Sequence, residues 1–233
     1  MISRIAKKLT NLRKFHTQLF SNRQIAFFLY DMFALRGYQR SVTDCSPIDA
    51  VGSPLPWYTY PAIEYLSQFD YSQKRMFEYG CGMSTLFWEK RVQDLVSVED
   101  ELDWQENIQK KVSSTVIFER EPGAYADAPV KYGTFDVIVI DGSYRNACVS
   151  PAVRCLREGG MIIADNTDWF PEVTRKLRAA GLLQVDFHGL GPCNGYAWVT
   201  SVFFHRSFNF PFSGEKLPLW SIGGVDGDCD HEG

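Results

Sequence analysis

The chain has no C-x-x-C pair, no unbroken apolar run of membrane-spanning length and no general excess of basic charge. Its six cysteines (Cys45, Cys81, Cys148, Cys155, Cys193 and Cys229) are scattered, which argues against a zinc ribbon or a dithiol redox centre. Six in 233 residues is too sparse for a disulfide scaffold, so a reducing cytoplasm is the expected compartment. The apolar stretch 25–35 is interrupted by Asp31 and falls short of the roughly 18–20 residues that a bilayer requires. No small-residue cleavage site follows it, which speaks against a secretory signal. A net charge of −4 speaks against a nucleic-acid partner. There is no internal repeat.

What the chain does have is 45% hydrophobic and 15% aromatic content, enough for one sizeable core. Residues 1–36 read as a helix, with Ile2, Ile5, Leu9, Leu12, Phe15 and Leu19 at three- and four-residue intervals and basic residues between them. Residues 1–30 hold six Lys or Arg and no acid. Peripheral contact with an anionic membrane is one reading of this helix; a helix packed on the body with a solvated basic face is the preferred one. A Pro-rich passage through Pro61 leads to a short helix at Ala62–Phe69. Strands and helices then alternate. The strand segments are Arg75–Tyr79, Asp94–Glu99, Thr115–Glu119, Phe135–Ile140, Gly160–Ala164, Leu183–Phe187 and Tyr196–Phe204. The helices are Ser84–Lys90, Leu102–Lys111, Ala147–Arg157 and Glu172–Ala180.

This alternation predicts an α/β fold: a doubly wound, mostly parallel seven-stranded sheet with an antiparallel edge strand, plus an N-terminal helical extension. Pro122, Gly123, Pro129 and Gly133 leave no full helix in the third crossover. The expected organisation is an extension and linker at 1–54, a cofactor-binding domain at 55–212 and a loosely ordered tail at 213–233.

The stretch Met76-Phe-Glu-Tyr-Gly-Cys-Gly-Met-Ser-Thr85 carries most of the chemistry. A strand rises to Glu78, turns through Gly80 and Gly82, and feeds a helix. Such a turn leaves backbone N–H groups unpaired at the mouth of a parallel sheet, where a cofactor can lie against the glycines. Glu99 closes the next strand nineteen residues after Gly80, the spacing at which an acid reaches ribose hydroxyls. Asp141 follows the apolar run Val137–Ile140, and Asp165-Asn166 follows Ile162-Ile-Ala164. Neighbouring parallel strands bring such ends to one rim of the sheet.

Glu78-Tyr-Gly-Cys-Gly-Met-Ser84 resembles the E/D-x-G-x-G-x-G motif of the class I S-adenosylmethionine (SAM) methyltransferases, with Ser84 in place of the third glycine. The resemblance covers roughly residues 55–205. It implies SAM as cofactor, held by Tyr60, Glu78, Gly80, Cys81, Gly82, Ser84, Thr85, Glu99, Asp100, Glu119, Asp141 and Gly142. Trp57-Tyr-Thr-Tyr60 looks like the segment that closes over SAM in bacterial methyltransferases of unassigned substrate. The implied activity is methyl transfer, at oxygen, to a small-molecule or glycan acceptor, with Asp141, Arg145 and Asp165 as catalytic residues. His188 and His205 are weaker candidates for a base. Asp141, Asp165 and Asn166 are also similar to the Mg2+ ligands of catechol-type O-methyltransferases; the metal-free reading is preferred, because Tyr144 stands where that family has a lysine. The aromatics of Gly191–Trp198 suit a sugar or aromatic acceptor, although Trp198 reads better as a core residue. Competing readings are a non-catalytic SAM- or nucleotide-binding module, an aminopropyl transferase and an NAD-linked oxidoreductase.

Overall fold

Runs of β-branched and aromatic residues between glycine turns become strands because their side chains pack on both faces of a pleated sheet. In the computed structural model, which describes residues 23–214 and 218–224, seven such runs form one sheet. An N-terminal extension precedes it, comprising α1 (Arg23–Tyr30), a π-helical turn (Asp31–Leu35) and α2 (Tyr38–Thr43). The body then runs α3 (Tyr60–Leu66), β1 (Arg75–Tyr79), α4 (Met83–Glu89), β2 (Asp94–Glu99), α5 (Leu102–Gln109) and β3 (Thr115–Phe118). It continues with α6 (Pro122–Ala126), β4 (Phe135–Ile140), α7 (Arg145–Cys155), β5 (Leu156–Asp165), α8 (Pro171–Ala179), β6 (Leu183–Gly189) and β7 (Trp198–Phe204). The third crossover is reduced to the single turn α6 and a 3-10 turn, as its prolines and glycines require.

The sheet order is β3-β2-β1-β4-β5-β7-β6. The pairings from β3 through β5 are parallel, and β7 runs antiparallel to both β5 and β6. The reversed strand therefore lies one place in from the edge, with β6 outermost. β5 starts earlier than its apolar run suggests, because Leu156 pairs with Phe135 across a register shift.

The period of two sorts the strands into two cores. Phe77, Tyr79, Val96, Val98, Ile138, Ile140 and Ile162 face one layer. Met76, Leu95, Val137, Val139, Met161 and Ile163 face the other, with Tyr58, α3 and α4 over them. The acids at the strand ends continue this second parity. Glu78 pairs with Ser97 and with Val139, and Ile140 with Ala164, which sets Asp141 beside Asp165. One face of the sheet thus carries Glu78, Glu99, Asp141 and Asp165 to a single rim.

One sequence expectation changes in the N-terminal extension. α1 buries none of its residues, so a helix packed on the body is not what residues 23–30 form. Residues 1–22 and 225–233, with most of the basic stretch and the acidic end, lie outside the described residues. Among the described residues no helix is long and apolar enough to cross a membrane.

Candidate functional site

The glycine turn is built by close approach. Gly80 has φ +89, the left-handed region, and an added Cβ would stand 2.9 Å from Gly142 Cα. A Cβ on Gly142 would meet Tyr125 Oη at 2.2 Å and Gly80 N at 2.6 Å. These two glycines let the loops after β1 and β4 touch. At Gly82 the opposite holds: an added Cβ meets only the Trp104 ring edge at 3.8 Å. That leaves room for a group lying against the backbone. Trp104 Nε1 donates to the Cys81 carbonyl at 2.7 Å, which fixes the indole beside the turn.

Two buried glutamates flank the turn. Glu99 is 8% exposed. Its Oε2 accepts the Cys81 N–H at 3.1 Å, and Oε1 accepts those of Asp100 (2.9 Å) and Glu101 (3.2 Å). A carboxylate offers about four acceptor positions, so one remains on Oε2, enough for one hydroxyl. Burial raises the Glu99 pKa against the effect of those three N–H groups. Glu78 is 1% exposed and less well served. Its Oε2 accepts the hydroxyls of Thr85 (2.6 Å) and Ser97 (3.0 Å). Its Oε1 is buried with no hydrogen bond, although the Ser84 hydroxyl lies alongside the carboxylate. Burial pushes its pKa up to about 7. An unpaired buried carboxylate oxygen is costly, and a ligand cation placed there removes the cost.

Tyr58 completes this end. It is fully buried, and its hydroxyl has no hydrogen-bond partner; the Trp88 indole approaches it without reaching good geometry. Burial and the nearby carboxylates of Asp141, Glu78 and Asp165 push its pKa well up. The sequence reading named Tyr60 for the cofactor. Tyr60 begins α3, with Arg36 5.7 Å over its ring. There it lines a groove of about 590 Å³ beside Leu35, Glu64 and the segment 218–222.

On the other half of the rim, Arg145 ties the strand ends together. Nη2 donates to the Asp141 carbonyl (2.7 Å) and to Asp141 Oδ1 (2.9 Å). Nη1 donates to the Asp165 carbonyl (2.6 Å) and to Asn166 Oδ1 (3.1 Å), and Nε to the Gly142 carbonyl (3.0 Å). Its guanidinium carbon lies 4.6 Å over the Phe170 ring. Arg145 thus occupies the place between Asp141 and Asn166 where an ion would bind them. Asp165 lies beside Asp141 and is engaged by other partners: Oδ1 accepts the Trp198 Nε1–H at 3.0 Å and the Thr200 hydroxyl. The three residues do not fit a Mg2+ site, and among the described residues no cluster of three metal-binding side chains occurs.

Asp141 keeps 23% of its side chain exposed, and burial pushes its pKa up to about 6 against the pull of Arg145. The pKa of Asp165 is raised by burial and by the negative Asp141 beside it. Above them is a hollow of about 270 Å³ lined by Trp57, Asp141, Arg145, Asp165, Trp169 and Tyr196, with Trp198 at its base. Trp169 (56% exposed) and Tyr196 (44%) hold their rings 6.2 Å apart at its mouth. Trp198 is 2% exposed, a core residue as expected that also holds Asp165. Arg145 separates this hollow from a second, of about 400 Å³, lined by Gly142, Ser143, Tyr144 and Phe170.

The remaining expected residues take defined places. Asp100 Oδ1 accepts the Ser143 hydroxyl at 3.0 Å, linking the loops after β2 and β4. Thr85 Oγ1 accepts the Gly82 N–H at 2.9 Å. Glu119 lies past β3, its N–H on the Glu99 carbonyl at 2.9 Å. His188 is exposed on the edge strand β6. His205 follows β7 and donates its backbone N–H to the Gly160 carbonyl within β5, away from the rim. The sequence reading missed Tyr58, Ser97 and Trp104. Ser97 is the polar residue in an otherwise apolar β2 core, and that break in pattern is its signal.

No family model matches the chain, and no curated protein matches it. Solved structures do resemble it. A methyltransferase from Pyrococcus furiosus is 18% identical over 82% of this chain and 100% of that one, with a TM-score of 0.45. A precorrin-6y C5,15-methyltransferase from Geobacter metallireducens is 12% identical over 61% and 87%, with a TM-score of 0.49. The N-methyltransferase NodS from Bradyrhizobium japonicum, in complex with S-adenosyl-L-homocysteine, is 15% identical over 57% and 78%, with a TM-score of 0.44. So distant a likeness transfers no substrate and no residue role. The strand order with its single reversed strand makes this a Rossmann-like α/β fold, consistent with that of the class I SAM-dependent methyltransferases.

Proposed function

We propose that the protein transfers the methyl group of SAM to an oxygen of a small-molecule or glycan acceptor. One observation carries this reading: two buried glutamates flank an open glycine turn, one with a single acceptor position left and the other with an unpaired oxygen. That pair of acceptors matches the ribose hydroxyls and the ammonium group of SAM, which donate. Bound SAM supplies a methyl group already activated on a sulfonium. Glu99 Oε2 accepts a ribose hydroxyl. Glu78 Oε1 faces the ammonium, which favours its charged form. Gly82 gives the backbone room, and Trp104 walls the turn.

The acceptor lies in the hollow beneath Trp57, Trp169 and Tyr196. Their rings present apolar faces for a sugar or aromatic ring and exclude water. Asp141 takes the proton of the acceptor hydroxyl. Arg145 fixes its carboxyl group, and a pKa of about 6 leaves it charged at neutral pH. Asp165 acts through Trp198 and is a positioning residue. The five cysteines among the described residues are free, as suits a cytoplasmic enzyme.

The test is transfer of labelled methyl from SAM into a metabolite and glycan extract, with release of S-adenosylhomocysteine. Asp141→Asn should abolish transfer and leave SAM binding intact. Binding without transfer to any fraction would favour the non-catalytic module instead.

A further inference from the structure

Two segments of the chain meet on one side of the protein and expose apolar rings there. α1 turns Phe27 (68% exposed), Phe28 (59%) and Tyr30 (58%) to solvent. The segment 218–224 meets the π-helical turn that follows α1: Arg36 Nη2 donates to the Ile222 carbonyl at 3.1 Å, and Gly223 lies against Asp31. Leu219, Trp220 and Ile222 are exposed on this segment. An aromatic cluster of this kind marks an interaction surface.

The charge identifies what it meets. Residues 1–30 carry six Lys or Arg and no acid in a chain of net charge −4, so the remainder stands at −10. We propose that this face docks on an anionic phospholipid bilayer. The basic stretch is drawn to the lipid headgroups while Phe27, Phe28 and Tyr30 enter the interface, where aromatic rings are favoured. The remainder of the chain, Asp226, Asp228, Asp230 and Glu232 included, is net negative and is not drawn to that surface.

The full chain is sedimented with phosphatidylcholine vesicles, with and without phosphatidylglycerol. It should pellet with the anionic vesicles, bind neutral ones at least about tenfold more weakly, and be released by salt. The exposed-ring variant Phe27→Ser/Phe28→Ser should lose about tenfold in partitioning, and its SAM affinity should be unchanged. Lys7→Glu/Lys8→Glu should lose binding to the anionic vesicles. The proposal is overturned if the chain stays in solution with anionic vesicles or pellets equally with both kinds. It is also overturned if the Ser variant pellets like the wild type, or if light scattering shows a dimer that this variant dissolves.

Discussion

The two halves of the sheet's carboxyl rim both carry buried acids, and they hold them differently. On the β1–β2 half, Glu99 is held by three backbone N–H groups, and Glu78 by two hydroxyls that leave one oxygen bare. On the β4–β5–β7 half, one arginine spans Asp141, Asn166 and the Asp165 carbonyl, and an indole and a hydroxyl take up Asp165. The backbone donors on Glu99 are fixed by the fold and keep their geometry whatever binds. Side-chain partners can be exchanged one residue at a time. The first half suits an invariant cofactor and the second suits a particular acceptor.

The contrast can be broken most sharply at Arg145. Arg145→Met leaves Asp141 and Asn166 without their partner and should cost about 3 kcal/mol in urea unfolding. It should also carry the acid limb of the rate profile above its expected position at about pH 6, because Asp141 loses its cation. A variant with wild-type stability and an unmoved acid limb would show that the arginine is incidental.

Glu78→Gln probes the other half and has two opposed effects. Its folded-state pKa of about 7 lies above the ordinary 4.5, so the ionised form weighs against folding. That penalty is absent at low pH and grows as pH rises from about 4.5 to 7. Gln keeps the hydroxyl contacts and lifts the penalty. The variant should be more stable by about 2 kcal/mol near pH 7.5 and no more stable near pH 4. It should bind SAM at least about tenfold more weakly. Equal SAM affinity would remove Glu78 from the cofactor site.

A smaller effect is expected at the mouth of the acceptor hollow. Trp57→Ala should raise the acceptor KM by about tenfold, the worth of one stacked ring, and leave the SAM Kd unchanged. A change in the SAM Kd instead would merge the two halves. The smallest effect expected is none at all: turnover should persist in excess chelator, because Arg145 stands where an ion would bind. Loss of turnover, restored by Mg2+, would overturn that placement.

The cofactor half was the legible one. Its glycine turn, strand ends and acid spacing are all local features of the chain, and the strands β1 to β4 fall where the apolar runs place them. Tyr58 was not legible. It has the same parity as Tyr60, and only the start of α3 at Tyr60, with Pro61 in its first turn, gives the two rings different neighbours, carboxylates for Tyr58 and Arg36 for Tyr60. The fate of Asp165 depends on its antiparallel pairing with Thr200, thirty-five residues away. A strand-end aspartate looks the same in sequence whether it faces a cleft or an indole. Arg145 was read as a catalytic residue, yet its i,i+4 spacing from Asp141 already allowed the ion pair that forms.

The most direct measurement is calorimetric titration of SAM into the wild-type chain near pH 7.5 and near pH 5.5. The account predicts one site at both, about tenfold weaker at the lower pH as Glu78 takes up a proton, with Glu99→Ala weaker by about tenfold at each. No binding at either pH, or an affinity that ignores both pH and Glu99, would contradict it.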